Sequence, residues 1–341
     1  MHILITGGSG FLGARLARTL LDRGTLAPGG TAAAPITRIT LSDRAEPPAD
    51  LASDARVRFA GGDLNELLAS RQIPAPDTAA VFHLAAAVSG ECEADFDLGM
   101  RSNFEATRSL LEACRALGTR PTVVFASSLA VFGNPPGQAL PEVIEDNTLP
   151  TPQSSYGIQK FIGEQLVADF ARKGFVQGRN VRLMTVSVRP GRPNGAASSF
   201  FSGMIREPLA GVRAAVPVPP ETPVALSSPS RTIDGLIRAA ETGDGEWGPL
   251  TAINLPALRT SVGDMAAALE RVAGPAATAL LDWTPDPAIL RLVKTWPGNV
   301  ASARAQSLGL LPDTDFESVI RDYIRENPQA VKLQVGGNAA S

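Results

Sequence analysis

A tyrosine and a lysine four residues apart carry the strongest chemical signal in this chain. Residues 155–160 read SYGIQK, and on a helix Tyr156 and Lys160 share one face. The chain holds two tyrosines and four lysines, so chance supplies such a pair with an expectation of about 0.02. The other tyrosine, Tyr323, has Asn327 at that offset. A phenol with a pKa of roughly 10 is a poor base at neutral pH. A positive charge beside it favours phenolate, and a lowering of about three units takes about 4 kcal/mol of such interaction, within reach of a dry cleft. The pair therefore predicts a general base for a hydroxyl proton. Residues 125–133 read FASSLAVFG, a strand running into a loop that carries Ser127 and Ser128. A hydroxyl at a strand end is placed to hold a substrate oxygen in line with the tyrosine.

The second chemical signal is a glycine loop. Residues 6–13 read TGGSGFLG, after the strand-like HILIT and before an amphipathic helix. Gly7, Gly10 and Gly13 suit a tight turn, a close approach of backbone N–H groups to a pyrophosphate, and close packing of helix on strand. The spacing is GxxGxxG. Asp43 ends the second strand-like run, RITLSD. A carboxylate there hydrogen-bonds ribose hydroxyls and repels a 2′-phosphate, which favours NAD over NADP. Arg44 follows directly and would tolerate a phosphate. Asp63, after Gly61 and Gly62, is placed either to meet the adenine edge or to cap a helix.

These groups need a scaffold, and the chain alternates strands with helices. Strand-like runs stand at 2–6, 36–42, 57–60, 80–84, 123–127 and 181–188. Helical periodicity covers 11–23, 101–117 and 154–173. That alternation means crossover units and a parallel sheet, with 25–37 as an inserted loop. From 189 to 230 Pro, Gly and Ser cluster among apolar residues. One more strand at 251–256 and helices at 261–272 and 316–325 follow, the last with a Thr314/Glu317 capping box. The expected division is a Rossmann-like dinucleotide-binding domain, a doubly wound parallel sheet, over 1–187. A smaller substrate-binding part spans 188–328, and a disordered tail spans 329–341. The 341 residues are 44% hydrophobic and 19% charged, with a net charge of −3. No charge block supports nucleic acid or a polybasic membrane contact, and no apolar run is long enough to span a bilayer. Two cysteines and two histidines argue against a disulfide framework and a zinc site. A cytoplasmic location is the expectation. His83, at a strand end beside alanines, does not make a hydrolase.

In the order TGGSGFLG, Asp43, Gly62-Asp63-Leu64, HLAA at 83–86, Asn103-x-x-Ala106-Thr107, SSLAVFG and Tyr156-x-x-x-Lys160, the chain resembles the extended short-chain dehydrogenases/reductases of the NAD-dependent epimerase/dehydratase superfamily. The resemblance covers nearly the whole length. It implies that Tyr156 is the base, Lys160 orients a ribose and lowers the tyrosine pKa, and Ser128 binds the reacting oxygen. Gly7, Gly10, Phe11, Leu12, Gly13, Asp43, Asp63, Leu64, Ala85 and Ala86 would contact NAD. Asn103 would join the cofactor site from the helix beneath it, and Val188 to Pro190 would border the nicotinamide.

The substrate half departs from the nucleotide-sugar enzymes. Phe132 stands where they usually carry tyrosine, and residues 188–201 read VRPGRPNGAASSFF. With SSPSRTIDG at 227–235 and MIREPL at 204–209, these pieces are similar to the D-erythronate dehydrogenase branch, which oxidises a four-carbon sugar acid at C2 with NAD. A carboxylate substrate asks for the fork of an arginine. Arg192 and Arg231 stand in the divergent segments, and Asn194, Ser199 and Ser127 are placed to read hydroxyls. The expected partner is a small sugar acid, and the family resemblance implies a homodimer through the 101–117 and 154–173 helices. Two other readings remain: a nucleotide-sugar epimerase or dehydratase that keeps NAD bound, and a binding protein that senses NAD.

Overall fold

Ile3 and Ile5 turn their side chains to one face of their strand and Leu4 to the other, and both faces are fully buried. That is the sign of a parallel strand covered by helices on both sides. The computed structural model describes residues 1–191 and 197–333. Its strands begin with β1 (His2–Thr6), β2 (Arg38–Asp43), β3 (Val57–Gly61), β4 (Thr78–His83), β5 (Thr122–Ser128) and β6 (Gln177–Leu183). Then come β7 (Thr185–Val186), β8 (Ala214–Val216), β9 (Pro223–Ser227), β10 (Ile253–Asn254), β11 (Leu258–Ser261) and β12 (Leu281–Trp283). Seven of them form one parallel sheet in the order β10-β6-β5-β4-β1-β2-β3. The order reverses between β1 and β4, which opens a crevice at the strands' carboxyl ends.

The longer helices are α1 (Phe11–Arg23), α2 (Ala106–Leu117), α3 (Ser155–Arg172), α4 (Ser199–Leu209), α5 (Pro229–Glu241), α6 (Val262–Ala273) and α7 (Phe316–Glu326). On one face of the sheet, Leu16 and Leu20 of α1 and Leu236 and Ile237 of α5 pack against Ile3, Ile39 and Phe82. On the other, Leu110 and Leu111 of α2 and Val167 of α3 pack against Leu4, Val81 and Phe125. α1 stops at Gly24, whose left-handed φ of 66° lets its N–H reach the Leu20 carbonyl. A separate apolar cluster joins Met204 and Ile205 of α4, Met265 and Leu269 of α6 and Phe316 and Ile320 of α7. This second cluster is the core of the C-terminal part.

The structure departs from the sequence reading in four places. The 181–188 run is not one strand: β6 ends at Leu183, and β7 pairs instead with β9, which in turn pairs with β11. The helix expected from 101 begins as a wider π turn over Met100–Glu105 before α2 takes over. The 25–37 insertion folds into a small hairpin, Thr25–Leu26 against Ala34–Pro35. The N-cap of α7 is Asp315, which accepts from Ser318 N at 2.7 Å, and not Thr314. Glu317 is drawn away to Arg271 and Arg321, so the capping box does not form. The tail expected to be disordered from 329 is instead ordered at its start, where the N–H groups of Lys332 and Leu333 both donate to the Leu209 carbonyl. Residues 334–341 lie outside the described residues.

His83 links β1, β4 and α2 beneath the crevice. Its Nδ1 meets Thr6 Oγ1 at 2.7 Å and its Nε2 meets Thr107 Oγ1 at 2.9 Å. Thr107 already donates to the Asn103 carbonyl, so it accepts from Nε2–H and Nδ1 accepts from Thr6. Burial, with the Lys160 charge nearby, pushes the His83 pKa down to about 3. The folded protein therefore refuses a proton that the unfolded chain takes below pH about 6.5. Stability falls as pH drops through that window, by about 2 kcal/mol between pH 7 and pH 5 from this group. Urea midpoints at the two pH values should show the loss, and His83→Gln, whose amide does not titrate, should flatten the dependence.

Candidate active site

The glycine loop sits at the head of the crevice. Gly7 has φ +69°, and a Cβ there would stand 2.9 Å from Ala85 N. A Cβ on Gly13 would stand 2.1 Å from the Gly7 carbonyl oxygen, so neither position admits a side chain without moving α1 or the Ala85 backbone. Gly10 caps α1 without a side-chain acceptor, which leaves first-turn N–H groups directed at the crevice for an anion. Asp43 is held at the end of β2, where its carboxylate accepts from Ser9 N at 3.1 Å and Arg44 N at 2.7 Å. Asp63 does both things the sequence allowed. It caps the Leu64–Ala69 helix through Asn65 N at 2.9 Å and pairs with Arg44, and it also lines the cleft. That pairing ties up the Arg44 guanidinium. Gly7, Gly10, Phe11, Leu12, Gly13, Asp43, Asp63, Leu64, Ala85 and Ala86 all line one cleft of about 570 Å³.

The same cleft reaches Ser128, Tyr156 and Lys160. Ser154 caps α3 by accepting from Gly157 N at 3.1 Å, which sets Tyr156 in the first turn and Lys160 one turn on. Lys160 Nζ donates to the Ala126 carbonyl at 2.8 Å and stands 5.7 Å from the centre of the Tyr156 ring. Ser128 Oγ hydrogen-bonds the Tyr156 phenol, and that bond draws the phenol's pKa down. In the protein alone the balance runs upward, whereas the lowering expected from the sequence counts a positive nicotinamide ring as well as Lys160. Burial pushes Tyr156 up to about 12, against which Ser128 and the Arg189 charge act in the opposite direction. Burial likewise draws Lys160 down to about 8. The chain's own cations do not offset the desolvation of this half-buried phenol, so a phenolate needs further positive charge in the cleft.

Ser127 lines the cleft with Ser128, but strand alternation turns the two hydroxyls apart. Ser127 Oγ donates to Glu164 Oε1 at 2.5 Å, inside the protein. Asn103 is not a cleft residue. Its amide oxygen accepts from Ala87 N at 2.8 Å, and its nitrogen donates to the Gln159 side chain at 2.8 Å. It braces the 85–88 backbone instead of touching what lies in the cleft. Val188 is buried in the second apolar cluster and lines no part of the cleft; the chain passes from β7 to α4 with that side chain turned inward. Ser199 opens α4, and its neighbour Ser198 is the one that lines the cleft. Arg231 stands in the first turn of α5, its N–H held by Ser228 Oγ, away from the cleft. It is placed there because α5 runs back over β5 and β6. Arg192 and Asn194 lie outside the described residues.

The arginine at the reacting end of the cleft is Arg189, which the sequence reading took only as part of the 188–190 stretch expected to border the nicotinamide. Its Nη2 donates to Ser198 Oγ at 3.2 Å, and its charge is close enough to Tyr156 to lower the phenol's pKa. Among the described residues no carboxylate pairs with it. Burial and the nearby Arg206 hold it below the ordinary arginine value. Its position directly after a strand, at the carboxyl end of the sheet, was the available signal. Trp296 also lines the cleft, and nothing in its local sequence marks it.

The cleft offers a helix N-terminus without a side-chain cap, a fixed carboxylate at a strand end and a buried lysine, a donor set that fits a dinucleotide. No group of His, Cys, Asp or Glu among the described residues is arranged to hold a metal. A family model described as the NAD-dependent epimerase/dehydratase family matches residues 3–222. The D-erythronate dehydrogenase of Cupriavidus necator is 51% identical over 326 residues, 96% of this chain and 98% of that protein. That of Haemophilus influenzae is 40% identical over 95% of this chain and 99% of its own length. The crystal structure of a nucleoside-diphosphate-sugar epimerase from Agrobacterium tumefaciens is similar, with a TM-score of 0.84 and 38% identity. It covers 97% of this chain and 95% of its own.

The Asp43 carboxylate, fixed at the end of β2 on the cleft, offers a charge test of cofactor preference. Asp43→Asn keeps the acceptor for Ser9 N and removes the charge. Titration of the variant with both cofactors should show NADP gaining on NAD by roughly tenfold. An unchanged ratio would remove Asp43 from the ribose site.

Proposed function

The chain belongs to the NAD-dependent epimerase/dehydratase family, and from that membership we propose that it is an NAD-dependent D-erythronate dehydrogenase that oxidises the C2 hydroxyl of this four-carbon acid to a ketone. Its likeness to the two D-erythronate dehydrogenases over nearly their full length supports the substrate. The observation that carries the reading is the placement of Arg189 beside Tyr156 with no carboxylate partner among the described residues. A half-buried guanidinium with no acidic partner among the described residues suits an anion, and an α-hydroxy acid brings its carboxylate next to the hydroxyl that reacts.

NAD, when bound, supplies the hydride acceptor that balances the oxidation. The N–H groups at the start of α1 hold its pyrophosphate, Asp43 its adenosine ribose and Lys160 its other ribose. Ser128 Oγ holds the C2 oxygen, and the Tyr156 phenolate takes that oxygen's proton. The Arg189 fork grips the carboxylate, which fixes C2 in reach of both groups. Burial opposes the phenolate, so the acid limb of the rate profile reports how far the bound charges bring the tyrosine down. The exposed Ile158 on α3 and the exposed Phe96 support a homodimer through this face. The two cysteines are free and buried, which suits a cytoplasmic protein.

Mixing protein, NAD and D-erythronate should give a stoichiometric rise in reduced-nicotinamide absorbance, with D-threonate and L-threonate as controls. A nucleotide-sugar epimerase, the reading carried by the description of the Agrobacterium structure, gives no net reduced cofactor and instead interconverts nucleotide sugars. Tyr156→Phe should lower kcat by about 10²–10⁴-fold while NAD still binds; near-normal turnover would sink the assignment of the base. Arg189→Lys keeps the charge and loses the fork, and should lower kcat/KM for the acid by about ten- to a hundredfold at unchanged NAD affinity.

A further inference from the structure

Trp296 borders two cavities. It lines the main cleft, and it also lines a second, solvent-open chamber of about 180 Å³ bordered by the exposed Asn134, Glu142 and Lys294 and by Asn299. Within the main cleft it stands at the reacting end, because it packs against the small apolar cluster of Leu129, Met184 and Ala225. Leu129 follows Ser128 directly, and both Leu129 and Met184 line the cleft. The indole is therefore a partition, with Ser128 and Tyr156 on one side and a polar chamber on the other.

We propose that Trp296 is a specificity-determining residue that sets the length of acid this site accepts, with the chamber behind it closed to substrate. This rests on the sugar-acid reading above. With its carboxylate on Arg189 and its C2 oxygen between Ser128 and Tyr156, an acid must project its remaining carbons within this end of the cleft. A four-carbon chain ends before the indole, and each further hydroxymethylene meets it.

The partition is anchored on both sides. Trp296 N donates to the Val293 carbonyl at 3.0 Å. Just beyond, Ile144 N donates to the Asn299 carbonyl at 3.0 Å and Ala301 N donates to the Ile144 carbonyl at 2.8 Å. A Cβ on Gly298 would stand 2.5 Å from Pro223 Cβ, so the backbone there is pressed against the start of β9. An indole carried on such a segment excludes by shape. The chamber behind it has side-chain amides, a carboxylate and an ammonium on its walls, groups able to bind the hydroxyls of a longer chain once the indole is gone.

The test compares kcat/KM for D-erythronate, D-ribonate and D-allonate, which lengthen the chain while keeping the configuration at C2 and C3. Wild type should prefer the four-carbon acid. Trp296→Ala should raise the ratio of D-allonate to D-erythronate by about tenfold or more, with most of the change in KM and with NAD affinity within about threefold of wild type. Trp296→Phe keeps an aromatic filler, guards against loss of folding, and should shift the ratio in the same direction by less. A folded variant that binds NAD and keeps the wild-type ratio overturns the partition while leaving the dehydrogenase reading intact. A wild type that reduces NAD with none of the acids overturns that reading, and the partition with it.

Discussion

Glu164 and Arg182, with side-chain exposures of 2% and 4%, meet through two hydrogen bonds of 2.8 and 2.9 Å in the floor of the site. The same carboxylate accepts the Ser127 hydroxyl, and the Glu164 carbonyl accepts from the Asn180 side chain at 2.9 Å. One residue of α3 is thus tied to β5 and β6 at once. Tyr156, Lys160 and Glu164 follow one another at four-residue intervals, so whatever fixes Glu164 fixes the other two relative to the strand ends. Removing one partner from such a buried pair typically costs about 3–5 kcal/mol, because the remaining charge is left without solvent. Ser127 spends its hydroxyl on this anchor, and that leaves Ser128 to face the cleft.

The anchor also explains why α3 buries polar side chains on the face it turns to the sheet. Gln159, Lys160 and Glu164 are all buried there, each with a partner from another element, although the Gln159 amide nitrogen is left without one. Gln159 accepts from Asn103, Lys160 donates to the Ala126 carbonyl, and Glu164 takes Arg182. Such a face builds a rigid site at the expense of apolar packing, and Phe125 beneath it supplies the apolar contact for Lys160, 4.9 Å from the ring centre. The resulting dryness sets the acid–base balance of the site. A phenol pushed up to about 12 and an ammonium drawn down to about 8 are both resisting their charged forms. Charge brought in with the cofactor and substrate acts in this low-dielectric setting with little screening, so binding and base activation are coupled.

The C-terminal part completes the cleft from the other side. β7 leaves the main sheet to join β9, and this departure swings Arg189 toward Tyr156 while Val188 turns into the second apolar cluster. The chain then returns near its end to place Trp296 against the cluster of Leu129, Met184 and Ala225. Arg189 and Trp296 thus reach one cleft from segments more than a hundred residues apart in sequence, joined by two apolar cores.

Local pattern was enough for the dinucleotide half. The glycines of TGGSGFLG, the acid closing RITLSD and the Tyr-x-x-x-Lys pair each encode their geometry within a few residues, through turn sterics, strand ends and helical period. Their placement around one cleft follows from alternating strands and helices, which leave few ways to wind a parallel sheet. The substrate half was less legible. Asn103 reads as a cofactor contact in its motif, and the tertiary structure makes it a brace, because it meets the Ala87 backbone and the Cys92 and Gln159 side chains. Arg231 has the same chemistry as Arg189, and the path of α5 alone separates them. The sign of the tyrosine's shift was also hidden, since burial is a property of everything that surrounds a group and not of its neighbours in sequence. The sequence by itself determined which groups the molecule has for chemistry. The tertiary structure decided which of them face one another, since a contact such as Trp296 on the Leu129 cluster depends on the chain's path through two cores and leaves no periodic trace.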